Sequence, residues 1–292
     1  MSKRLTVSII ILNYNGYELT HEAVESVLTS SYPWFEIIVV DNASTDNSLQ
    51  LLKKRYNKMG NVKIISSPIN KLYTGGFNLG ARYAMGDLLL IMNNDVVVEK
   101  DSIDKLVKAV VSERTLVQPK ILYYSDPSML DNAGGRYSFS GIGHGKGGGK
   151  DTGQYDHQLK CDYVSGTAFM IHKSFFTELG GFDEWFGAYY EDVDLSLRAR
   201  SRGGECHYCP TSRVYHKISA TYKKQLVQEN TLFDIRKNRL RTVIKNFDGT
   251  ERVLRIVALI PVYIGCTITD IMSLNRKRLF LTIRAIIFAS SV

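Results

Sequence analysis

Four short apolar runs, dense in Ile and Val, punctuate the first hundred residues: VSIIIL (Val7–Leu12), EIIVV (Glu36–Val40), VKII (Val62–Ile65) and LLLIM (Leu88–Met92). Each is too short for a buried helix and too uniformly apolar for a strand with one wet face, so each reads as a strand buried on both sides. Between them, Glu18–Ser30, Asp46–Asn57 and Phe77–Met85 carry helical patterns. Thr45-Asp46-Asn47 offers cap chemistry for the second helix, and Pro33 breaks the chain after the first. A β-α-β-α-β-α-β rhythm predicts an α/β fold: a doubly wound, mostly parallel sheet with helices on both faces.

Such a sheet binds ligands beyond the carboxyl ends of its strands. The first run ends in Asn13-Tyr14-Asn15-Gly16, the second in Asp41-Asn42-Ala43-Ser44, the fourth in Asn93-Asn94-Asp95. Amides and carboxylates converging there can hydrogen-bond a nucleobase and ribose, and a carboxylate can hold a divalent cation bridging phosphates. The same residue types also form turns after strands, so it is the convergence of all three ends that points to a ligand site. A second acidic group, Glu191-Asp192-Val193-Asp194, opens a helical pattern after Trp185-Phe186-Gly187-Ala188-Tyr189-Tyr190. First-turn acids complement a helix dipole. A carboxylate beside aromatic rings also suits a general base whose pKa is raised by desolvation. His216 closes the following extended segment and offers an imidazole nitrogen to a metal.

Gly141–Lys150 (GIGHGKGGGK), with six glycines in ten residues, reads as a mobile loop. Its Gly143-x-Gly145-x-x-Gly148 spacing mimics a dinucleotide fingerprint, but no apolar run leads in, no amphipathic helix follows, and Asp151 stands where a phosphate loop needs Ser or Thr. Beyond it, Gly166–His172 reads as a strand, Lys173–Leu179 and Glu191–Arg202 as helices ended by glycine pairs, and Glu205–Tyr215 as extended chain. Cys206-His207-Tyr208-Cys209 has zinc-knuckle spacing without a second Cys/His pair, and so reads as strand.

Charge is divided unevenly. Residues 1–212 hold 22 basic and 24 acidic side chains, whereas residues 213–292 hold 15 against 5. A nucleic-acid-binding surface would not confine its positive charge to the last quarter of the chain, so no nucleic-acid partner is expected. Four cysteines, unevenly spaced, do not make a disulfide framework, and the stretch after Met1-Ser2-Lys3-Arg4 lacks the form of a secretory signal. Both features point to the cytoplasm. In the tail, Ile256–Thr269 is uncharged over 14 residues and contains Pro261 and Gly265. As a helix it would span about 21 Å against roughly 30 Å of bilayer hydrocarbon. Arg276-Lys277-Arg278 then precedes the apolar Leu279–Phe288, interrupted by Arg284. Basic clusters beside apolar segments suit a peripheral hold on the cytoplasmic face of a membrane; the bland alternative is a helical pair covering the preceding domain.

Read in order, TVSIIILNYNG, EIIVVDNASTDNS, NKLYTGGFNLG, GDLLLIMNNDV, GTAFMIHKSFFTELGGFDEWFGAYYEDVDLSLRARSRG and VYH resemble the family 2 inverting glycosyltransferases of GT-A fold. Within them they are most similar to the rhamnosyltransferase-like and galactofuranosyltransferase-like branch. The similarity covers about residues 5–220, which implies a GT-A catalytic domain over 1–220, with a nucleotide-binding half to about residue 100 and an acceptor half after it. Residues 221–292 would form a basic helical extension. The resemblance implies that Asp41 recognises the donor nucleobase near Asn13, Tyr14, Asn15 and Asn42. Asn70, Gly76, Asn78, Asn93, Asn94 and Asp95 would complete the donor site. It implies a divalent cation, Mg²⁺ or Mn²⁺, on Asp95 and His216; Asp192 as catalytic base with Glu191 as its companion; and Trp185 lining the acceptor site.

Two positions depart from the family's pattern. Asn93 stands where the metal motif usually begins with Asp, and Leu72 stands where a glycine usually follows Asn70 by two residues. The implied reaction moves a sugar from a nucleoside diphosphate (dTDP-rhamnose or a UDP-hexose) to a glycan or lipid-linked saccharide. Its alternatives are transfer to a polyprenyl phosphate and a silent nucleotide- or glycan-binding scaffold.

Overall fold

The computed structural model describes residues 4–217, 225–272 and 276–290. The N-terminal residues 1–3, and the boundary expected at residue 220, lie outside the described residues. The expected rhythm is present: β1 (Val7–Asn13), α1 (Tyr17–Leu28), β2 (Phe35–Asp41), α2 (Ser48–Tyr56), β3 (Val62–Ser66), α3 (Leu72–Tyr83) and β4 (Leu88–Asn93). These four strands run parallel in the order β3-β2-β1-β4. Ile9 and Ile11 of β1 join one core with Ala23, Val24 and Val27 of α1 and Leu52 of α2. Ile10 joins the opposite core with Phe77 of α3. Alternation with both faces covered is why the run is uniformly apolar. Each such isoleucine contributes about 1.5–3 kcal/mol on full burial.

The middle of the chain is more ordered than its sequence suggests. It forms β5 (Val96–Val98), α4 (Ser102–Ala109), β6 (Thr115–Tyr123), β7 (Met129–Asn132), β8 (Gly135–Tyr137), β9 (Gly143–Gly145), β10 (Gly149–Lys150) and β11 (Leu159–Cys161). The glycine-rich stretch expected to be only a loop thus contributes β9, paired antiparallel with β8, and β10, paired antiparallel with β7. A side-chain-free backbone can still pair, and tertiary contacts decide whether it does. Buried Lys120 on β6 helps, reaching Asp151 at 2.7 Å and Asp156 at 2.5 Å on the following loop.

The remaining elements are β12 (Ala168–His172), α5 (Lys173–Glu178), α6 (Glu191–Ser201), β13 (Glu205–His216), α7 (Gln225–Asn246), α8 (Gly249–Met272) and α9 (Arg276–Ser290). β12 runs antiparallel to β4 and β6 and carries the sheet past its parallel centre. β13, a 12-residue strand that includes Cys206 and Cys209, pairs with β5, β6 and β11 and delivers His216 to the sheet's carboxyl edge. α3 begins five residues earlier than expected. It lies tight on β1, since a Cβ at Gly76 would meet Leu12 Cδ1 at 2.4 Å and one at Gly80 would meet Ile10 Cγ2 at 2.4 Å. α8 also exceeds the 14-residue expectation, reaching 24 residues despite Pro261. By length and composition it is the one helix among the described residues apolar enough to cross a membrane.

Candidate active site

The ends of β1 and β2 are tied by side chains. Buried Asn13 donates from Nδ2 to Asp41 Oδ1 at 2.8 Å and to Ser44 Oγ at 3.1 Å, while its own Oδ1 accepts from Thr20 at 2.7 Å. Asp41, 1% exposed, also accepts the Ser44 backbone N–H at 3.1 Å. Asn15 turns in the left-handed region (φ 51°) and accepts the Thr45 N–H at 2.7 Å. Tyr14 beside it is exposed. Asn42 donates to Asn70 Oδ1 at 2.9 Å and the Leu72 carbonyl at 3.0 Å, and accepts the Lys71 N–H at 2.8 Å. This shapes the entry to α3. Leu72 sits there at φ 56°, so the position where the family pattern has glycine is one that an L side chain occupies at a cost of about 1–2 kcal/mol. Its side chain lies against Gly187.

Two of the donor-site expectations fall elsewhere. Gly76 serves the α3–β1 contact. Asn78 bonds the backbone of Phe182 in both directions at 2.9 Å and so braces the Gly181–Glu184 turn.

β4 ends at Asn93, and Asn94 and Asp95 form the turn into β5. Asn94 donates to Thr20 at 3.0 Å. His216 meets Asp95 Oδ2 through Nε2 at 3.3 Å and Asp131 Oδ2 through Nδ1 at 2.7 Å. Burial opposes an imidazolium, but the hydrogen bonds to Asp131 and Asp95 outweigh it and push His216 up to about 9. With carboxylates on both sides of the imidazole, this corner favours positive charge. Mg²⁺-type sites take one or two protein donors and are completed by substrate phosphates, with bonds of about 2.0–2.1 Å; adjacent ligands on such an ion lie about 3 Å apart, close to the Asp95–His216 spacing. Those two residues therefore fit a divalent cation. Among the described residues no group of three or more His, Cys, Asp or Glu could hold one unaided. Asp131, which sequence reading missed, stands behind the imidazole on Nδ1, the position from which a carboxylate orients a histidine ring. It lies 85 residues from His216 in sequence, so no local signal marks it.

The acidic helix start faces a cavity of about 460 Å³ lined by Tyr73, Asn93, Gly166, Glu191, Asp192 and Arg239, among others. Asn93, two residues before Asp95, thus shares a cavity with Asp192. Asp192 Oδ2 accepts the Gly166 N–H at 2.8 Å and Oδ1 the Val193 N–H at 2.8 Å. Glu191 is 6% exposed, and its Oε2 has no hydrogen-bond partner among the described residues. Burial, then the charge of Asp192, lifts Glu191 well above the carboxylate range. Burial also raises Asp192, against the pull of the Gly166 and Val193 N–H groups. Of the two, Asp192 is the one whose carboxylate form backbone donors favour, through the Gly166 and Val193 N–H groups, and the two acids titrate as a pair. Asp194, third acid of the run, is fully buried and spoken for: it accepts from Arg198 at 2.8 Å, Lys245 at 3.0 Å and Asn246 at 2.9 Å.

The loop before these acids is strained, with Gly187, Tyr189 and Tyr190 at φ 67–69°. α7 pays for that strain. Buried Asn238 spreads its amide hydrogens over the carbonyls of Phe186 at 2.9 Å, Ala188 at 2.8 Å and Tyr189 at 2.6 Å. Asn238→Ala is expected to cost about 2 kcal/mol, leaving buried carbonyls without donors, and to lower turnover as the loop relaxes; a chemical-denaturation midpoint equal to wild type would refute it. Trp185 lies outside the cavity lining. Its ring packs on Phe288 of α9 at 5.7 Å, with Lys237 and Arg241 of α7 at 5.0 and 4.9 Å.

Residues 8–180 match the sequence model of the family described as Glycosyl transferase family 2. The chain is 25% identical over 252 residues to the low-salt glycan biosynthesis hexosyltransferase Agl10 of Haloferax volcanii, covering 78% of this chain and 76% of that protein. It is 30% identical over 234 residues to the O-antigen biosynthesis protein RfbC of Myxococcus xanthus, covering 76% of this chain but 18% of that much longer protein. Among solved structures it resembles GalNAc-T7 with UDP, GalNAc and Mn²⁺, at TM-score 0.69 and 19% identity, over 92% of this chain and 51% of that one. That last likeness is one of fold.

Proposed function

The chain belongs to glycosyl transferase family 2 and is a glycosyltransferase of GT-A fold using a nucleotide-sugar donor; from that premise we propose an inverting single displacement onto a lipid-linked or cell-surface glycan. The observation that carries the proposal is the shared cavity of Asn93 and Asp192. On this reading the donor nucleotide lies along the Asn13, Asp41 and Asn42 ends of β1 and β2, and its sugar reaches the cavity. Asp192, ionised and fixed by the Gly166 and Val193 amides, accepts the proton of the acceptor hydroxyl as that oxygen attacks the anomeric carbon. The diphosphate leaves from the opposite face, on the Asp95 side. A divalent cation held by Asp95 and His216 would supply Lewis-acid neutralisation of that leaving group. GalNAc-T7, of the same fold, holds UDP and Mn²⁺, which supports both parts. Dissociation constants for a panel of UDP, GDP and dTDP sugars, measured with Mn²⁺, test the reading; no binding or hydrolysis across the panel would remove its support.

The tail supports a membrane-side acceptor. Val253, Val257, Ile260, Ile264, Ile268 and Ile271 of α8 are all at least half exposed and recur at helical spacing along one stripe. Phe280, Ile283 and Ile287 of α9 are exposed as well. A stripe of this kind beside a basic segment would seat the enzyme on the cytoplasmic face of an anionic bilayer. Replacing Ile260 and Ile264 together with Glu is expected to cut co-sedimentation with phosphatidylglycerol-containing liposomes at least tenfold; unchanged sedimentation would exclude the stripe as the contact.

A further inference from the structure

Residues 164–167 enter β12 as a strap whose backbone groups are taken by partners from distant elements. The Val164 N–H goes to Ser196 Oγ of α6 at 3.3 Å, the Ser165 N–H to Gln118 Oε1 of β6 at 2.6 Å, and the Gly166 N–H to Asp192 Oδ2 at 2.8 Å. The Thr167 carbonyl accepts the Asn93 N–H at 3.0 Å. The Gly166 carbonyl accepts from the hydroxyl of Tyr73, in the first turn of α3, at 2.6 Å. Gly166 is thus held through both of its peptide groups, by Tyr73 on one and by the proposed base on the other.

A side chain at position 166 would displace that hydroxyl, since a Cβ there would meet Tyr73 Oη at 2.9 Å and Glu191 Oε1 at 3.1 Å. Crowding therefore selects glycine, the residue whose backbone is least restricted, and the N–H that holds Asp192 belongs to it. Something must fix that backbone if the carboxylate is to keep one orientation. The Tyr73 ring is itself anchored, packing on Phe77 at 4.5 Å and Phe182 at 5.5 Å. Burial, then the charges of Glu191 and Asp192, hold its phenol well above the ordinary tyrosine range, so the hydroxyl keeps its proton and donates. The preceding residue, Leu72, has its N–H on Asn70 Oδ1 at 2.8 Å and its carbonyl on Asn42 Nδ2 at 3.0 Å. The backbone that carries the ring is therefore set from the end of β2. We propose that Tyr73 is a positioning residue for the proton acceptor: its hydroxyl fixes the Gly166 turn, and that turn aims the Asp192 carboxylate into the cavity. This rests on the glycosyltransferase reading above, in which Asp192 takes the acceptor proton, and adds to it a group from α3.

Tyr73→Phe removes the hydroxyl and keeps the ring. The probe is the nucleotide sugar that binds most tightly in a UDP, GDP and dTDP panel, with Mn²⁺ present and release of the nucleoside diphosphate followed. In Tyr73→Phe kcat is expected to fall about 10–100-fold, the scale of misplacing a reacting group by up to about 1 Å. The dissociation constant of the same nucleotide sugar should stay within about twofold of wild type, because the interaction lost is one made in the transition state. A hydroxyl that only braced the fold would instead lower the denaturation midpoint and leave kcat alone. In an Asp192→Asn background, Tyr73→Phe should lower kcat by less than about twofold more, since a group that acts through another has no effect once that other is gone. Gly166→Ala, whose added Cβ displaces the same hydroxyl, should show the same split between rate and binding, and it supplies the test if Tyr73→Phe does not fold. Wild-type kcat in Tyr73→Phe or Gly166→Ala, donor affinity lost in proportion to rate, or an undiminished loss in the Asp192→Asn background would each overturn the proposal. A slow Asp192→Asn beside an unaffected Tyr73→Phe defeats this inference alone. Wild-type protein that binds no nucleotide sugar, or Asp192→Asn at full rate, defeats the catalytic reading and this inference with it.

Discussion

Asp192→Asn is expected to lower kcat about 10³-fold while the dissociation constant of the donor nucleotide stays within about twofold of wild type. The magnitude is that of losing a positioned general base, about 10²–10⁴. The split between rate and binding follows from where the residue sits. Its oxygens are held by backbone amides of Gly166 and Val193, not by residues of the β1 and β2 ends that would hold the nucleotide. Asn can keep one of those two bonds, so the fold should survive the change. The same assignment has a pH signature. Burial raises Asp192 and raises Glu191 further, so the base form exists only above a displaced pKa, and the rate must fall as pH drops through it. The acid limb of kcat/KM in wild type should therefore lie above the ordinary carboxylate range, and it belongs to the pair rather than to one acid. Donor affinity lost in proportion to rate, or an acid limb at or below pH 4, would remove Asp192 from this role.

Asp95→Asn should weaken cation-dependent binding of the donor nucleotide about 100-fold, leaving binding measured in excess chelator unchanged. Losing a ligand or its orienting partner costs about 10–100-fold in metal affinity, and here the site begins one carboxylate short because Asn93 stands at the head of the motif. Fewer anionic donors mean that each remaining one carries more of the affinity. Asparagine preserves the size of the side chain beside His216, so a folding defect is not expected to mimic the loss. Titration of the nucleotide with and without Mn²⁺, in wild type and variant, gives the four constants needed. An equal loss with and without Mn²⁺ would show that Asp95 contacts the nucleotide in some other way.

The parallel strands were legible because burial on both faces leaves no room for polar residues, so composition and spacing give them away. The placement of the acids at 41, 95, 191 and 192 at strand ends and a helix start was legible because it follows from where the apolar runs stop. The pairing of β8 with β9 was not legible, since glycine carries no side-chain pattern to read. Nor was the early start of α3, which depends on Asn42 and Asn70 holding Leu72 in a left-handed turn. Trp185 was expected at the acceptor but packs on Phe288, because α9 reaches it from more than a hundred residues away.

Local order along the chain, then, was enough to establish the α/β architecture and to nominate candidate carboxylates, because both depend on periods and neighbours a few residues apart. How the surroundings of the three acids in this run differ was settled only on folding. Asp192, Glu191 and Asp194 share one helix turn, and they differ through Gly166, through burial without a partner, and through Lys245 and Asn246 of α7. The same holds for Asp131 behind His216, Asn238 under the strained loop and Tyr73 against Gly166. Electrostatic environment is a property of distance in space, and the chain brings these groups together only when distant segments pack.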